Sequence, residues 1–157
     1  MTSRKHRLSS GTVVTIFATC LFLWGFQPQA WADGATAAKP LELRNIMQDL
    51  GRNMQAITGA ISQENWALVA QLAPKVAAHP EPPVTEKMRI LAYLGTDAAK
   101  FRGFDEKTHE AAHAMEQVAE RGDGRAVIQS FARVQESCLG CHQGFRKSLV
   151  EHFYGTR

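Results

Sequence analysis

The sequence lacks internal repeats, low-complexity segments and runs of alternating polar and apolar β-forming residues. Its composition is 45% apolar, 21% charged and 8% aromatic, which excludes a disordered or collagen-like chain and predicts one globular domain. Alanine, leucine, methionine, glutamine, glutamate, lysine and arginine recur throughout, and these residues favour helix. Without a strand pattern beside them, they predict an all-α fold.

Acidic residues are absent from the first 32 positions, which contain Arg4, Lys5 and Arg7. The rest of the chain therefore carries equal numbers of basic and acidic side chains, and the formal net charge of +3 comes from the N-terminal segment. A basic patch on the domain itself, which would favour a nucleic-acid partner, is not indicated. We expect no binding to nucleic acid.

The N-terminal segment has the pattern of a secretory signal peptide. Basic residues precede an apolar run from Thr12 to Phe26, and Ala30-Trp31-Ala32 follows as a small-residue cleavage site. An uncleaved anchor is the alternative, but the run is shorter than the roughly 20 residues of a spanning helix. We expect residues 1–32 to be removed, leaving 33–157 as an exported periplasmic domain with no membrane attachment.

Apolar periodicity in the first predicted helix, about residues 40–62, indicates which face is buried. The apolar positions advance in alternating steps of 4 and 3, as in a helix of an antiparallel bundle. These positions are Leu43, Met47, Leu50, Met54, Ile57 and Ile61. The spacing predicts that all six face the bundle interior.

Three more main helices are predicted, with Asp105 and Asp123 as N-caps of the last two. The segment 85–103 gives mixed signals, and Pro74 lies inside the second helix, where it predicts a kink. The three helices are expected at about residues 64–78, 106–121 and 125–153. Short connections between four helices predict an up-down-up-down four-helix bundle.

The fourth predicted helix contains Cys138-Leu139-Gly140-Cys141-His142, the c-type haem attachment signature. At about 100° per residue the two cysteines and the histidine share one face. The thiols can then form thioethers to the haem vinyl groups while the imidazole reaches the iron. This predicts one covalently bound haem c, with Phe145 in the bundle core touching the porphyrin.

Two other uses of the cysteines were weighed against haem attachment. A thioredoxin-like pair would stand at a helix N-terminus after a strand, whereas a helical segment precedes Cys138 and no strand is predicted. A structural zinc site or a disulfide would lack a second ligand pair at zinc-finger spacing. Either use would also leave His142 without a role.

A zinc-protease pattern is present in His109-Glu110-Ala111-Ala112-His113, where two histidines one turn apart would bind zinc and the glutamate would be the base. On a helical wheel, however, His109, Glu110 and His113 lie opposite the apolar face. A solvated polar face is the competing explanation. A zinc hydrolase that uses these three residues is the alternative function that differs most from that of a haem protein.

The motif Cys138-x-x-Cys141-His142-x-x-Phe145-Arg146-Lys147, close to the C-terminus, resembles the cytochrome c′ family, the class II c-type cytochromes. The resemblance covers essentially all of residues 33–157. It implies an antiparallel four-helix bundle with the haem on the last helix and a first-helix residue on its distal side. It also implies a redox partner protein rather than enzymatic turnover, and a homodimer through the first two helices as one oligomeric state.

The same resemblance implies that Met47 is the sixth iron ligand. Low-spin family members carry a ligating methionine four residues before a Gly-Arg-Asn-Met-like stretch, and Met47 precedes Gly51-Arg52-Asn53-Met54 at that spacing. Such a cytochrome would transfer electrons. If Met47 only packs, the iron is five-coordinate and would bind nitric oxide or carbon monoxide. Met54 lies about 10.5 Å further along the helix axis, so the two methionines cannot reach one iron.

Arg146 follows His142 by one helical turn and has two interpretations. It can contact a haem propionate or orient a partner, or it can simply be an exposed base that suits the negative end of a helix. The sequence does not separate the two.

Overall fold

The structure, a computed structural model, describes residues 40–155, and all regular structure within that range is helical. Helices α1, α2, α4 and α5 form the predicted bundle, since α1 packs on α2, α2 on α4 and α4 on α5. A 3₁₀ turn separates α3 from α4, and a π-helical turn joins α5 to α6. The helices are α1 Glu42–Ser62, α2 Trp66–Ala77, α3 Val84–Leu94, α4 Ala98–Glu120, α5 Gly124–Cys141 and α6 Lys147–Tyr154.

The predicted signal peptide, residues 1–32, lies outside the described residues. Within 40–155, no helix combines the length and the apolar character needed to cross a bilayer.

Side-chain caps begin two of the bundle helices. The Asn65 side chain accepts a hydrogen bond from the Leu68 amide at 3.1 Å and begins α2. The Asp123 carboxylate accepts from the Ala126 amide at 3.0 Å, which confirms the predicted cap of α5. Each bond satisfies one of the amides that a helix start leaves unpaired. Pro74 lies inside α2 as predicted, and the helix continues past it to Ala77.

The prediction that Asp105 caps the third main helix is wrong. Helix α4 already begins at Ala98, so Asp105 lies two turns inside it. Gly95, with a φ of +53°, ends α3, and the 3₁₀ turn redirects the chain into α4. Phe101 and Phe104 of the added turns are partly buried in the core, and this packing extends the helix beyond the boundary that the capping pattern suggests.

One core cluster, here called the aliphatic cluster, fills the centre of the bundle. Alanine and valine predominate in it, and such small side chains let helices approach closely. Gly124 packs closely on Trp66, because a Cβ there would lie 2.4 Å from the ring. The cluster consists of Ile57, Ala60, Val69, Leu72, Ala73, Val76, Ala77, Ala111, Ala112, Met115, Ala119, Val127 and Val134.

A second cluster, here called the aromatic cluster, lies where α1, α3, α4 and α6 meet. Its buried members are Leu41, Ile90, Phe145 and Leu149, and its partly buried members are Leu43, Leu94, Phe101, Phe104, Cys141, Phe153 and Tyr154. The Glu86 carboxylate of α3 accepts hydrogen bonds from the Glu42 and Leu43 amides at 2.8 and 2.9 Å. These bonds hold the start of α1 against α3 and complement the positive end of its dipole.

The buried face of α1 differs from the prediction at one position. Ile57 is fully buried, and Leu50, Met54 and Ile61 are partly buried, but Met47 is 38% exposed and Ile46 takes the buried position at 3%. At about 100° per residue, Ile46 points within about 20° of Ile57, whereas Met47 points about 80° away. The rotation that buries Ile57 therefore turns Ile46 inward.

Candidate functional site

The Cys-x-x-Cys-His motif occupies the end of α5 and the start of the π-helical turn His142–Arg146. Cys138 and Cys141 are partly buried free thiols one helical turn apart. Cys138 packs against the aliphatic cluster, and Cys141 packs against the aromatic cluster. The motif therefore lies where the two core clusters meet.

Both thiols are kept in the neutral form by their surroundings. Burial raises the pKa of Cys138, and burial together with the charge of Asp105 raises the pKa of Cys141 to about 11. A thioredoxin-like pair needs the opposite, a lowered pKa at a helix N-terminus. The position at the end of α5 and the raised pKa values both argue against a redox pair.

His142 is exposed and begins the π-helical turn. Partial loss of hydration, with the charge of Arg146 as a second cause, lowers the pKa of its imidazole. The neutral imidazole is the form that binds a metal. Turns of this type occur frequently at functional sites, and this one leaves Phe145 buried while Arg146 stays exposed.

Aromatic rings from α4 surround the motif on its apolar side. The Phe145 ring meets Phe101 edge-on at a centroid distance of 5.4 Å and Phe104 at 6.3 Å. Phe104 also packs directly on the backbone of Gly140, where a Cβ would lie 2.5 Å from Cε1 of the ring. The contact with Phe104 thus favours glycine at position 140. The predicted burial of Phe145 is confirmed at 5% exposure.

Helix α1 contacts both clusters. Leu43 packs against the aromatic cluster, and Leu50 packs against the aliphatic cluster. Met47 lies on the turn between them, with its side chain 38% exposed. Met47 therefore lies in sequence between the residues by which α1 contacts the two clusters.

The zinc-protease pattern does not assemble in the described residues. His113 is 58% exposed and faces Glu116 of its own helix at 3.3 Å. His109 is not on a fully solvated face as predicted, because its Nδ1 bonds to the Ala77 carbonyl and its Nε2 faces Asp105. The histidines therefore point to different partners.

Sequence reasoning missed three residues beside the motif. His79 belongs in sequence to the segment that ends the second helix, yet its Nε2 lies 3.2 Å from Asp105. Phe101 lies in the segment 85–103, which gives mixed signals, and Phe104 directly follows that segment. Their spacing of three residues, continued by Thr108, is a helical signal that could have placed them on one inward face.

The residues at the motif fit a covalently attached haem. Two neutral thiols stand one turn apart, a metal-competent imidazole follows the second thiol, and phenylalanine rings cover the apolar side. Residues 41–146 match the model of the family described as cytochrome C′. No curated protein and no solved structure matches the chain.

Proposed function

Because this chain belongs to the cytochrome c′ family, we propose that it is a periplasmic monohaem cytochrome that carries electrons between partner proteins. The family binds haem c covalently, and we assign the thioether bonds to Cys138 and Cys141 and the proximal iron ligand to His142. The haem supplies the redox chemistry when bound, while the chain supplies axial ligands and apolar surroundings. The observation that best supports this proposal is the position of the motif at the junction of the two core clusters.

We assign the distal ligand position to Met47. This assignment is supported by the neighbouring residues of α1, which contact the same two clusters as the attachment cysteines do. Its exposure of 38% also weakens the packing explanation, since Ile46 and not Met47 fills the core. A thioether ligand makes the iron six-coordinate and raises its potential, which suits electron transfer.

The burial of Ile46 favours a second candidate function. At 3% exposure it is the inward-facing residue on the same turn of α1. If Ile46 faces the iron and Met47 stays at the surface, the distal side is apolar and the iron is five-coordinate. The protein would then bind nitric oxide or carbon monoxide.

The surface around the motif suggests where a redox partner binds. Leu139, between the two cysteines, is 56% exposed, and Arg146 and Lys147 are exposed nearby. An apolar contact rimmed by basic side chains suits a partner with an acidic rim. We assign this role, rather than a propionate contact, to Arg146. The homodimer through α1 and α2 stays a prediction for sedimentation measurements on the purified protein.

We also propose export, from the signal pattern in residues 1–32. Mass spectrometry of the haem-loaded protein is expected to give an N-terminus at Asp33. A mature protein that keeps its first residues would instead indicate an N-terminal anchor.

Optical spectroscopy of the Met47→Ala and Met54→Ala variants tests the function directly. Ferric wild type is expected to be low-spin with a weak far-red charge-transfer band from thioether ligation. Met47→Ala should lose this band, become high-spin and have a lower potential. Met54→Ala is the matched control, because Met54 lies two turns further along α1 and should leave the haem spectrum unchanged.

Three outcomes would contradict the electron-carrier proposal. If ferric wild type is already high-spin and its ferrous form binds carbon monoxide readily, the gas-binding candidate takes over. If Met54→Ala and not Met47→Ala changes the spectrum, the ligand assignment is wrong. A colourless protein without a pyridine haemochrome would exclude haem attachment altogether.

A further inference from the structure

Three potential metal ligands lie together beside the haem motif, where the charge of Asp105 acts on Cys141. His79 follows the end of α2, while Asp105 and His109 are one turn apart on α4. The His79 Nε2 atom lies 3.2 Å from Asp105 Oδ1, and the His109 Nε2 atom lies 3.4 Å from Asp105 Oδ2. One ligand atom from each residue falls within 4.8 Å of the other two.

The outer nitrogen of each imidazole is bonded to a backbone carbonyl. His79 Nδ1 pairs with the Pro80 carbonyl at 3.2 Å, and His109 Nδ1 pairs with the Ala77 carbonyl. A carbonyl oxygen only accepts, so Nδ1 must donate in both rings. In metal sites, this outer hydrogen bond orients a ligating histidine and leaves Nε2 for the metal.

The inner atoms form a set that a cation would complete. A neutral imidazole that donates through Nδ1 directs the lone pair of Nε2 toward the Asp105 carboxylate, so that two acceptors face each other. A cation bound between these atoms relieves this opposition for both rings together. His79 is positioned firmly for this role, since its side chain is only 8% exposed.

The distances match those of a zinc site. With Zn–N and Zn–O bonds of about 2.0–2.2 Å, tetrahedral ligands are about 3.3–3.6 Å apart. The two observed nitrogen-to-oxygen separations are 3.2 and 3.4 Å. Two imidazoles and one carboxylate are also donors that suit first-row divalent metals, with a fourth position left for water.

We propose that His79, Asp105 and His109 bind one Zn²⁺ ion per chain, in addition to the haem. The ion fastens the segment after α2 to α4, because one ligand comes from that segment and two come from the helix. This site shares only His109 with the zinc-protease pattern, and it uses neither Glu110 nor His113.

Isothermal titration of the haem-loaded, tag-free protein with Zn²⁺ tests the proposal after chelator treatment and dialysis. Wild type is expected to bind one equivalent. Asp105→Asn and His109→Gln should weaken binding at least tenfold, in keeping with loss of one of three ligands. His113→Gln is the matched control, since it removes an exposed histidine of the same helix and should bind as wild type does. Haem content is measured for every variant.

The wild-type protein provides a second test that needs no variant. Zn²⁺ should raise its melting temperature, and EDTA should reverse the rise, because a ligand that binds only the folded state stabilises it. Failure of wild type to take up one equivalent would overturn the proposal and leave a hydrogen-bonded His-Asp-His cluster. Equal loss of binding in His113→Gln would overturn it as well, by indicating nonspecific histidine binding.

Discussion

The two core clusters of this bundle are built from different side chains and exclude water to different degrees. In the aliphatic cluster, Ile57, Val69, Met115 and other members are completely buried. In the aromatic cluster, the four buried residues keep between 3% and 8% of their surface exposed, and phenylalanine and tyrosine predominate among the partly buried ones. Most of the aliphatic cluster is closed to water, and the aromatic cluster presents broad apolar rings beside Cys141.

The difference has a physical reason. Small alanine and valine side chains let α1, α2, α4 and α5 pack closely, so their contacts complete the aliphatic cluster without help. Large rings form flat apolar surfaces that suit a flat macrocycle. We therefore expect the stability of the aliphatic cluster to belong to the chain, and that of the aromatic cluster to depend on the haem.

The largest effect is expected when haem attachment is prevented by Cys138→Ala with Cys141→Ala. The free energy of unfolding should fall by about 3–5 kcal/mol, similar to the cost of large cavities in protein cores. Near-UV circular dichroism from the aromatic cluster should weaken more than the far-UV helix signal. A haem-free double variant that melts at the wild-type temperature would show that the aromatic cluster is complete without haem.

A smaller effect is expected from adding one methyl group at Gly140. The new Cβ would lie 2.5 Å from the Phe104 ring, and overpacking of this kind costs about 1–3 kcal/mol. Denaturant unfolding of Gly140→Ala measures the loss, and the haem spectrum should change with it.

Two other glycines serve as controls for this comparison. Gly144 has nothing within 4 Å of an added Cβ, so Gly144→Ala should unfold within about 1 kcal/mol of wild type. Gly124→Ala clashes with Trp66 at 2.4 Å and should lose stability without changing the haem spectrum. Equal stability of the Gly140 and Gly144 variants would refute the packing role of Phe104.

The smallest effect concerns pH and the His79–Asp105 pair in metal-free protein. The hydrogen bond that the His79 imidazole donates to Asp105 raises the pKa of His79 above 6.5, with further contributions from Pro80 and Glu81, and the same bond lowers the pKa of Asp105 below 3.8. The His79 contribution is present below pH 6.5 and is lost as pH rises through its raised pKa. The Asp105 contribution is present above pH 3.8 and is lost as pH falls through its lowered pKa.

The pair therefore stabilises the protein most between about pH 4 and 6.5. Because Asp105 is half exposed, screening limits the contribution to about 0.5–1 kcal/mol. The melting-temperature difference between wild type and His79→Gln, measured in EDTA, should be largest near pH 5 and shrink above neutrality. His109, whose ring centroid is 4.7 Å from that of His79, is the neighbouring side chain to substitute next. A melting-temperature difference between wild type and His79→Gln that grows as pH rises would contradict the stabilising role of the His79–Asp105 pair.

Local patterns in the sequence predicted much of the fold and the covalent part of the site. The attachment motif is a contiguous five-residue signal, the cap at Asp123 depends on a bond to a residue three positions away, and helical periodicity repeats every few residues. All three are short-range properties of the chain. For that reason the helix class, the bundle helices and the positions of Cys138, Cys141 and His142 could be predicted without coordinates.

Contacts between distant residues were decided only by the tertiary structure. His79 and Asp105 are 26 positions apart, and they meet because the end of α2 packs on α4, which no local pattern encodes. The choice between Ile46 and Met47 as the buried residue depends on a rotation of α1 that periodicity leaves open, since either spacing fits an amphipathic helix. Packing against α2 sets that rotation, because it must bury Ile57 and Ala60 together.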